Sequence, residues 1–439
     1  MFTNTIAAIS TAVQDGAISI IRLSGPDALA IADSVFSRDV LTQPANTIRY
    51  GTILKDGEPL DEVLLSVFRA PNSYTGLDMV EINAHGGTLI TRRILQLLLE
   101  KGAVLARPGE FTEQAFLSGR IDLAQAEAVN DMITAGNDAA ARIAVQGIRG
   151  SVRRLLEPLI EDVLNIIAQI EVNIDYPEYE DVEQLTTGTL LPEIRSWIAR
   201  IEQILDRAAC GQQVKKGLDT AILGRPNAGK SSLLNALLEE DKAIVTDIPG
   251  TTRDVVEGRL VLDGIQLNLL DTAGIRETGD EVEKIGVRRS LEAARQADLV
   301  ILVRDPLMPE TEEDRQLLEL TDDSRRIIVW NKKDLQAHEG LSISARNGDI
   351  EDLLTEIRNR FAQGISAKDP LLSSERQIGL LQRARTSMMN AQTALEQGGL
   401  PDMAEIDIQE AHDCLKEILG EVHREDLLDA LFSRFCLGK

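Results

Sequence analysis

Gly224-Arg225-Pro226-Asn227-Ala228-Gly229-Lys230-Ser231 decides the fold. The stretch fits G-x-x-x-x-G-K-[ST], and it stands between an apolar strand, Asp219 to Leu223, and a helix, Ser232 to Leu238. That context is what a phosphate-binding loop requires. Its glycines let backbone N–H groups turn toward an anion, and the helix N-terminus adds partial positive charge. Lys230 is placed to bridge β- and γ-phosphate oxygens, and the Ser231 hydroxyl to bind Mg²⁺. Asn227, Ala228, Gly229 and Ser232 complete the nucleotide contacts expected of this segment.

Further elements follow in the order such a site needs. Thr251-Thr252-Arg253-Asp254 lies in a polar loop, where Thr252 can complete the Mg²⁺ shell. Asp271-Thr272-Ala273-Gly274 follows the strand Ile265 to Leu270. There Asp271 can hold Mg²⁺ through water, and the Gly274 amide can sense the γ-phosphate. Arg259 to Leu270, with Asp263-Gly264 in its middle, reads as a hairpin that gives the sheet one antiparallel edge strand.

Asn331-Lys332-Lys333-Asp334 follows the apolar strand Ile327 to Trp330. A buried Asp334 carboxylate can accept guanine N1–H and the 2-amino group, and it rejects adenine by leaving groups unpaired. Ser344-Ala345-Arg346, expected after another strand, can reach the guanine oxygen with its backbone. Together these elements select GTP over ATP. The position after Asp-x-x-Gly, where such domains carry a water-orienting glutamine, is Ile275. Arg253, Arg276, Glu277, Asp280, Glu281 and Glu283 are all near enough to replace it, and spacing does not choose among them.

Working outward, the chain has 439 residues, which suggests about three domains. Its 46 Lys+Arg stand against 71 Asp+Glu, a net charge of −25. That balance argues against a broad basic surface for nucleic acid, so any RNA contact must be local or shared with a partner. Aromatics at 3% argue against a wide base-stacking platform as well. No apolar run is long enough to cross a bilayer, so no membrane role is expected. Three scattered cysteines, Cys210, Cys414 and Cys436, fit a reducing, cytoplasmic setting.

The expected fold is multidomain, α+β and α/β. Residues 1–119 mix strands (Ala17 to Leu23, Glu62 to Phe68, Met79 to Asn83) with a helix over Thr88 to Glu100. Residues 120–216 turn helical, with Val152 to Ile170 at three-four spacing. Glu171 to Glu183, with six acids and no base, reads as a solvated connection, with an acidic docking surface as the alternative. Residues 217–364 form an α/β unit with a mostly parallel sheet, and residues 365–439 are helical again. The α/β unit reads as an insertion between two helical blocks that pack together. His85, with Gly86 and Gly87, is expected to shape a turn.

The α/β unit resembles a translation-factor-type, Ras-like small GTPase domain. The whole chain resembles the MnmE (TrmE) family of bacterial tRNA-modification GTPases. The resemblance is carried by Gly16-Ala17-Ile18-Ser19-Ile20-Ile21-Arg22-Leu23-Ser24-Gly25, His85-Gly86-Gly87 and Arg107-Pro108-Gly109-Glu110-Phe111-Thr112. It continues through Asp122-Leu123-Ala124-Gln125-Ala126-Glu127-Ala128 and closes on Phe435-Cys436-Leu437-Gly438-Lys439.

The resemblance implies a homodimer formed through the N-terminal domain, which binds a tetrahydrofolate derivative such as 5-formyltetrahydrofolate. Matching positions give Arg22, Glu81, Arg120 and Lys439 as folate contacts; the family often has lysine where Arg120 stands. It implies nucleotide contacts along Thr246-Asp247-Ile248-Pro249-Gly250-Thr251-Thr252, with K⁺ held by Asn227, Thr246, Ile248 and Thr251. That cation would neutralise transition-state charge in place of an arginine finger. Glu283 matches the residue that positions the catalytic water, beside Lys230 and Asp271. Family members act with a flavoprotein, MnmG, on C5 of the tRNA wobble uridine, and Cys436 is a candidate for the one-carbon chemistry. The alternative, a ribosome-assembly switch of the Era or Der type, predicts a Lys- and Gly-rich KH domain or a second GTPase unit, and the sequence displays neither.

Overall fold

The computed structural model describes residues 4–175, 187–225, 227–239, 256–262, 265–270, 292–323, 325–361, 372–422, 428, 431–433, 435 and 438. By internal contacts the chain forms two compact units. One comprises residues 1–133, 147–198 and 379–439, the other residues 134–146 and 199–378.

The first unit opens with β1 (Ile6–Ile9), β2 (Ile18–Ser24), α1 (Ala28–Asp33), β3 (Thr47–Lys55), β4 (Glu58–Phe68), β5 (Met79–His85), α2 (Thr88–Glu100) and β6 (Val104–Leu105). The strands form one sheet in the order β3-β4-β5-β2-β1-β6, antiparallel except for β1 with β6. Alternate residues such as Ile21, Leu23, Leu65, Val67, Val80 and Ile82 point into a core shared with Leu29 and Ile31 of α1 and Ile94, Leu97 and Leu98 of α2. The other face carries Ile18, Ile48, Tyr50 and Leu64, all exposed. The helix over Thr88 to Glu100 stands where its spacing predicts.

His85 does not shape a turn. It is the last residue of β5, opposite Ile18, and its Nδ1 lies 2.6 Å from Asp61 Oδ1.

The helices α3 (Glu110–Leu117), α4 (Leu123–Thr134), α5 (Asp138–Ile148), α6 (Ser151–Asp175) and α7 (Thr187–Lys216) follow. The acidic connection starts later than its composition suggests, because Glu171 to Asp175 continue α6. The rest of it lies outside the described residues.

The second unit holds β7 (Leu218–Leu223), α8 (Lys230–Glu239), β8 (Val256–Leu262), β9 (Ile265–Leu270), β10 (Leu299–Arg304), α9 (Glu312–Leu320), β11 (Arg326–Trp330) and α10 (Glu351–Phe361). Its sheet runs β11-β10-β7-β9-β8, parallel but for the antiparallel edge strand β8. This is the mostly parallel α/β sheet the sequence predicts, edge hairpin included; the Asp263-Gly264 turn lies outside the described residues. Ser344-Ala345-Arg346 does not follow a strand. Ser342 makes only an isolated bridge to Trp330, and residues Ala345–Asn347 form a 3₁₀ turn.

Two further helices follow, α11 (Glu375–Glu396) and α12 (Pro401–Leu419). Ala404, Ile408, Ala411, Leu415 and Ile418 are buried along one face of α12, which packs on α6. Arg153 of α6 joins Asp122, before α4, at 3.0 Å to Glu421, after α12, at 2.9 Å. Leu428, Phe432 and Phe435 pack against Leu123 and Ala126. Among the described residues no helix is long and apolar enough to cross a membrane.

Candidate functional site

In the second sheet the chain leaves β7 in both directions, to β9 on one side and β10 on the other. The crevice beyond the carboxyl ends of such strands is where α/β sheets bind ligands. The described residues of Gly224 to Ser231 follow β7 at that end and lead into α8. Gly224 has φ +143°, and a Cβ there would lie 2.2 Å from the Val303 carbonyl oxygen of β10. Gly229 has φ +99°, and its Cβ would lie 2.0 Å from Asn331 Nδ2. Both motif glycines are therefore required by close approach as well as by backbone conformation.

Lys230 begins α8 and turns its ammonium back on the loop, donating to the carbonyls of Gly224 at 2.7 Å and Arg225 at 2.9 Å. Burial pulls its pKa below the ordinary lysine value. Ser231 and Ser232 are exposed in the first turn of α8, and Ala228 is buried. Asn227 is exposed with φ +64°, a left-handed conformation that asparagine tolerates better than most residues.

Asn331 is 4% exposed and ties the loops together. Its Nδ2 donates to the Ala228 carbonyl at 2.9 Å, and its Oδ1 accepts the Ala345 N–H at 3.0 Å. Lys332 has φ +66°, and its Nζ lies 2.6 Å from Asp305 Oδ2. Burial pushes the Asp305 pKa up, but the bonds from Lys332 and the Leu307 N–H outweigh it and hold the carboxyl below its usual value.

Asp334 is exposed rather than buried, because it stands in the turn beyond β11. Its Oδ1 accepts the Ser344 hydroxyl at 2.7 Å, which aligns the carboxylate beside the 344–346 turn. Arg346 is exposed.

The structure thus brings together residues 224–232, 331–334 and 344–346. Thr246, Asp247, Ile248, Pro249, Gly250, Thr251, Thr252, Asp271, Thr272, Ala273, Gly274 and Glu283 lie outside the described residues, as do Arg253, Ile275, Arg276, Glu277, Asp280 and Glu281. Sequence reasoning missed Asp305 and the anchoring of Arg225, whose Nη1 donates to the Pro309 carbonyl at 3.0 Å. The available signal was position: Asp305 directly follows β10, level with Asn331 after β11.

In the first unit, Arg22 and Glu81 are cross-strand partners on β2 and β5. Arg22 grips Glu81 Oε1 through Nε at 2.9 Å and Nη2 at 2.7 Å. Its Nη1 donates to the Gly438 carbonyl at 3.2 Å, and its guanidinium sits 5.7 Å and 5.5 Å from the ring centres of Tyr74 and Phe111. Burial raises the Tyr74 pKa. Arg120 is exposed and reaches this neighbourhood through Ser73, donating from Nε to its carbonyl at 3.3 Å. Lys439 and Cys436 lie outside the described residues.

A family model for the MnmE helical domain matches residues 123–436, and one for the GTP-binding protein TrmE N-terminus matches residues 5–120. The chain belongs to the MnmE family of tRNA modification GTPases. It is similar along its length to the tRNA modification GTPase MnmE of Streptococcus thermophilus (strain CNRZ 1066), with 48% identity covering 99% of this chain and 98% of that one. The MnmE of Enterococcus faecalis (strain ATCC 700802 / V583) gives 48% identity with the same coverage of both chains. Among solved structures, the G domain of the T. maritima FeoB iron transporter is 30% identical over 33% of this chain and 99% of that one, with a TM-score of 0.23. As an MnmE family member, the chain is a GTPase.

Proposed function

We propose that this GTPase acts in the C5 modification of the tRNA wobble uridine (carboxymethylaminomethyl type), in the cytoplasm, with the FAD-containing partner MnmG. In this reading its one-carbon unit comes from a tetrahydrofolate derivative such as 5-formyltetrahydrofolate. The observation that carries the reading is the hold of Arg22 on both Glu81 and the Gly438 carbonyl. Two folate residues expected from the family resemblance meet there, and the carbonyl that Arg22 also holds directly precedes a third, Lys439. Arg120 approaches the same neighbourhood through Ser73.

The donor set suits a folate. Arg120 and Lys439 supply cations for the carboxylates of its glutamate tail, and Glu81 supplies an acceptor for paired ring N–H groups. Cys436, on the same terminal segment, is the residue we assign to the one-carbon chemistry.

The partition into residues 1–119, 120–216, 217–364 and 365–439 belongs to this reading. The first is the dimerisation and folate domain, the third the GTPase domain, and the other two the halves of the helical domain. The exposed residues Ile18, Ile48, Tyr50 and Leu64 on one sheet face support burial of that face in a homodimer.

At the nucleotide, Ser231 and Thr252 would hold Mg²⁺, with Asp271 behind it through water. Asn227, Thr246, Ile248 and Thr251 would hold K⁺. These ions supply positive charge at the phosphates, and the chain's own residues do the rest. Lys230 bridges the β- and γ-phosphates, Gly274 senses the γ-phosphate, Glu283 positions the water, and Asp334 with the 344–346 turn reads guanine. Ser232, Asp247, Pro249, Gly250, Thr272, Ala273, Asn331, Lys332 and Arg346 line the same site.

The test is nucleoside mass spectrometry of tRNA from a deletion strain carrying either the wild-type chain or Gly438→Ala. Gly438 has φ +86°, and a Cβ there would lie 2.4 Å from the Ile9 carbonyl oxygen, so this variant dislodges the tail. The wild type should restore the modified uridine and Gly438→Ala should not. Unmodified wobble uridine with the wild-type chain would refute the assignment to this reaction.

A further inference from the structure

We infer that Asp305, which directly follows β10, is a positioning residue for the guanine-reading segment and acts through Lys332. Its side chain is 4% exposed and accepts two bonds, from Lys332 Nζ at 2.6 Å and from the Leu307 N–H at 2.9 Å. Lys332 sits between Asn331 and the pair Lys333-Asp334, and its φ of +66° is one that an unbranched side chain adopts only under constraint.

The constraint comes from both ends of Lys332. Its ammonium is anchored on Asp305, and its carbonyl accepts the N–H groups of Leu335 at 2.8 Å and Gln336 at 3.1 Å. Releasing the ammonium frees the strained backbone to relax, and any rotation there swings Asn331 off Ala228 and Asp334 off the base.

The turn that begins at Asp305 also holds the phosphate loop, because Arg225 Nη1 donates to the Pro309 carbonyl at 3.0 Å. One short segment therefore sets the spacing between the loop that binds phosphates and the loop that reads the base. Asp305 itself touches the base-reading loop only through Lys332.

This inference rests on reading residues 331–334 as the guanine-reading segment, and the experiment separates the two. Affinity for a fluorescent GDP analogue is measured on the full chain for the wild type, Asp305→Ala, Asp305→Asn, Lys332→Ala, Asp334→Asn and the double variant Asp305→Ala/Lys332→Ala. Asp305→Ala should weaken binding about tenfold, the loss of one buried charge-assisted bond. Asp305→Asn, which keeps an acceptor, should recover part of it. The double variant should bind no more weakly than Lys332→Ala alone, and in Asp305→Ala the KM for GTP should rise by a larger factor than kcat falls.

Fully additive losses would reduce Asp305 to a general stabiliser and overturn the inference, as would wild-type affinity in Asp305→Ala beside weakened Lys332→Ala. Wild-type affinity in both Lys332→Ala and Asp334→Asn would instead refute the guanine-reading assignment.

Discussion

Asn331 bonds to Ala228 across 103 residues of sequence, its Nδ2 donating to that carbonyl at 2.9 Å. The same side chain accepts the Ala345 N–H, so one buried amide fixes the phosphate loop against the 344–346 turn. Asn331→Ala leaves a buried carbonyl and a buried N–H unpaired. Each orphaned group costs about 1–3 kcal/mol, so the second unit should lose about 2 kcal/mol or more of stability and bind GDP more weakly. Urea unfolding and nucleotide titration of the variant check both effects.

Asp334→Asn exchanges a carboxylate that accepts from guanine for an amide that also donates. The amide suits xanthine, which carries an oxygen where guanine has its 2-amino group. Hydrolysis of GTP by the variant should fall and that of XTP should rise. Unchanged preference in a competition assay would remove Asp334 from base recognition.

The exposure and left-handed backbone of Asn227 suit a side chain offered to a cation. GTP hydrolysis should run far faster in KCl than in NaCl at equal ionic strength, and Asn227→Ala should erase most of the difference. Equal wild-type rates in the two salts would exclude a K⁺ site.

Cys414 lies buried on α12, and burial pushes its thiol up to about 11. At pH 8 it should alkylate roughly two orders of magnitude more slowly than an ordinary thiol, since only the thiolate reacts. Peptide mass spectrometry after timed iodoacetamide treatment measures this. The folded pKa is raised above the ordinary thiol value, so the folded chain keeps its proton longer. Stability from this group is therefore complete below about pH 9 and declines as pH rises through about 11.

Local order was legible where periodicity and punctuation agreed. The helix Thr88–Glu100 is bounded by Gly86-Gly87 and by Lys101-Gly102, and its apolar spacing leaves no second reading. The strands β7 and β11 are short apolar runs, each ending at a motif. β3 has its sequence signal in the turn that ends it. Asp56-Gly57, with φ +52° and +85°, makes the tight turn into β4 that such a dipeptide favours.

The site was legible as a set of motifs, and its bracing was not. Asp305 reads in sequence as an ordinary charged turn after an apolar strand. Only the parallel pairing of β10 with β11 brings it level with the guanine motif. Ser344 follows a pairing too short to register as a strand, and Asp334 is exposed because β11 ends before it.

The bond from Ser10 to the Gly438 carbonyl spans 428 residues. A ribosome adding ~5–20 residues per second releases the second partner on the order of a minute after the first. During that interval the N-terminal sheet can be built, but the bond from Arg22 to the Gly438 carbonyl cannot form. A nascent chain therefore leaves the Ser10 hydroxyl and the Arg22 Nη1 without their Gly438 partner until that residue has emerged, so the last contacts on the N-terminal sheet are set late in synthesis.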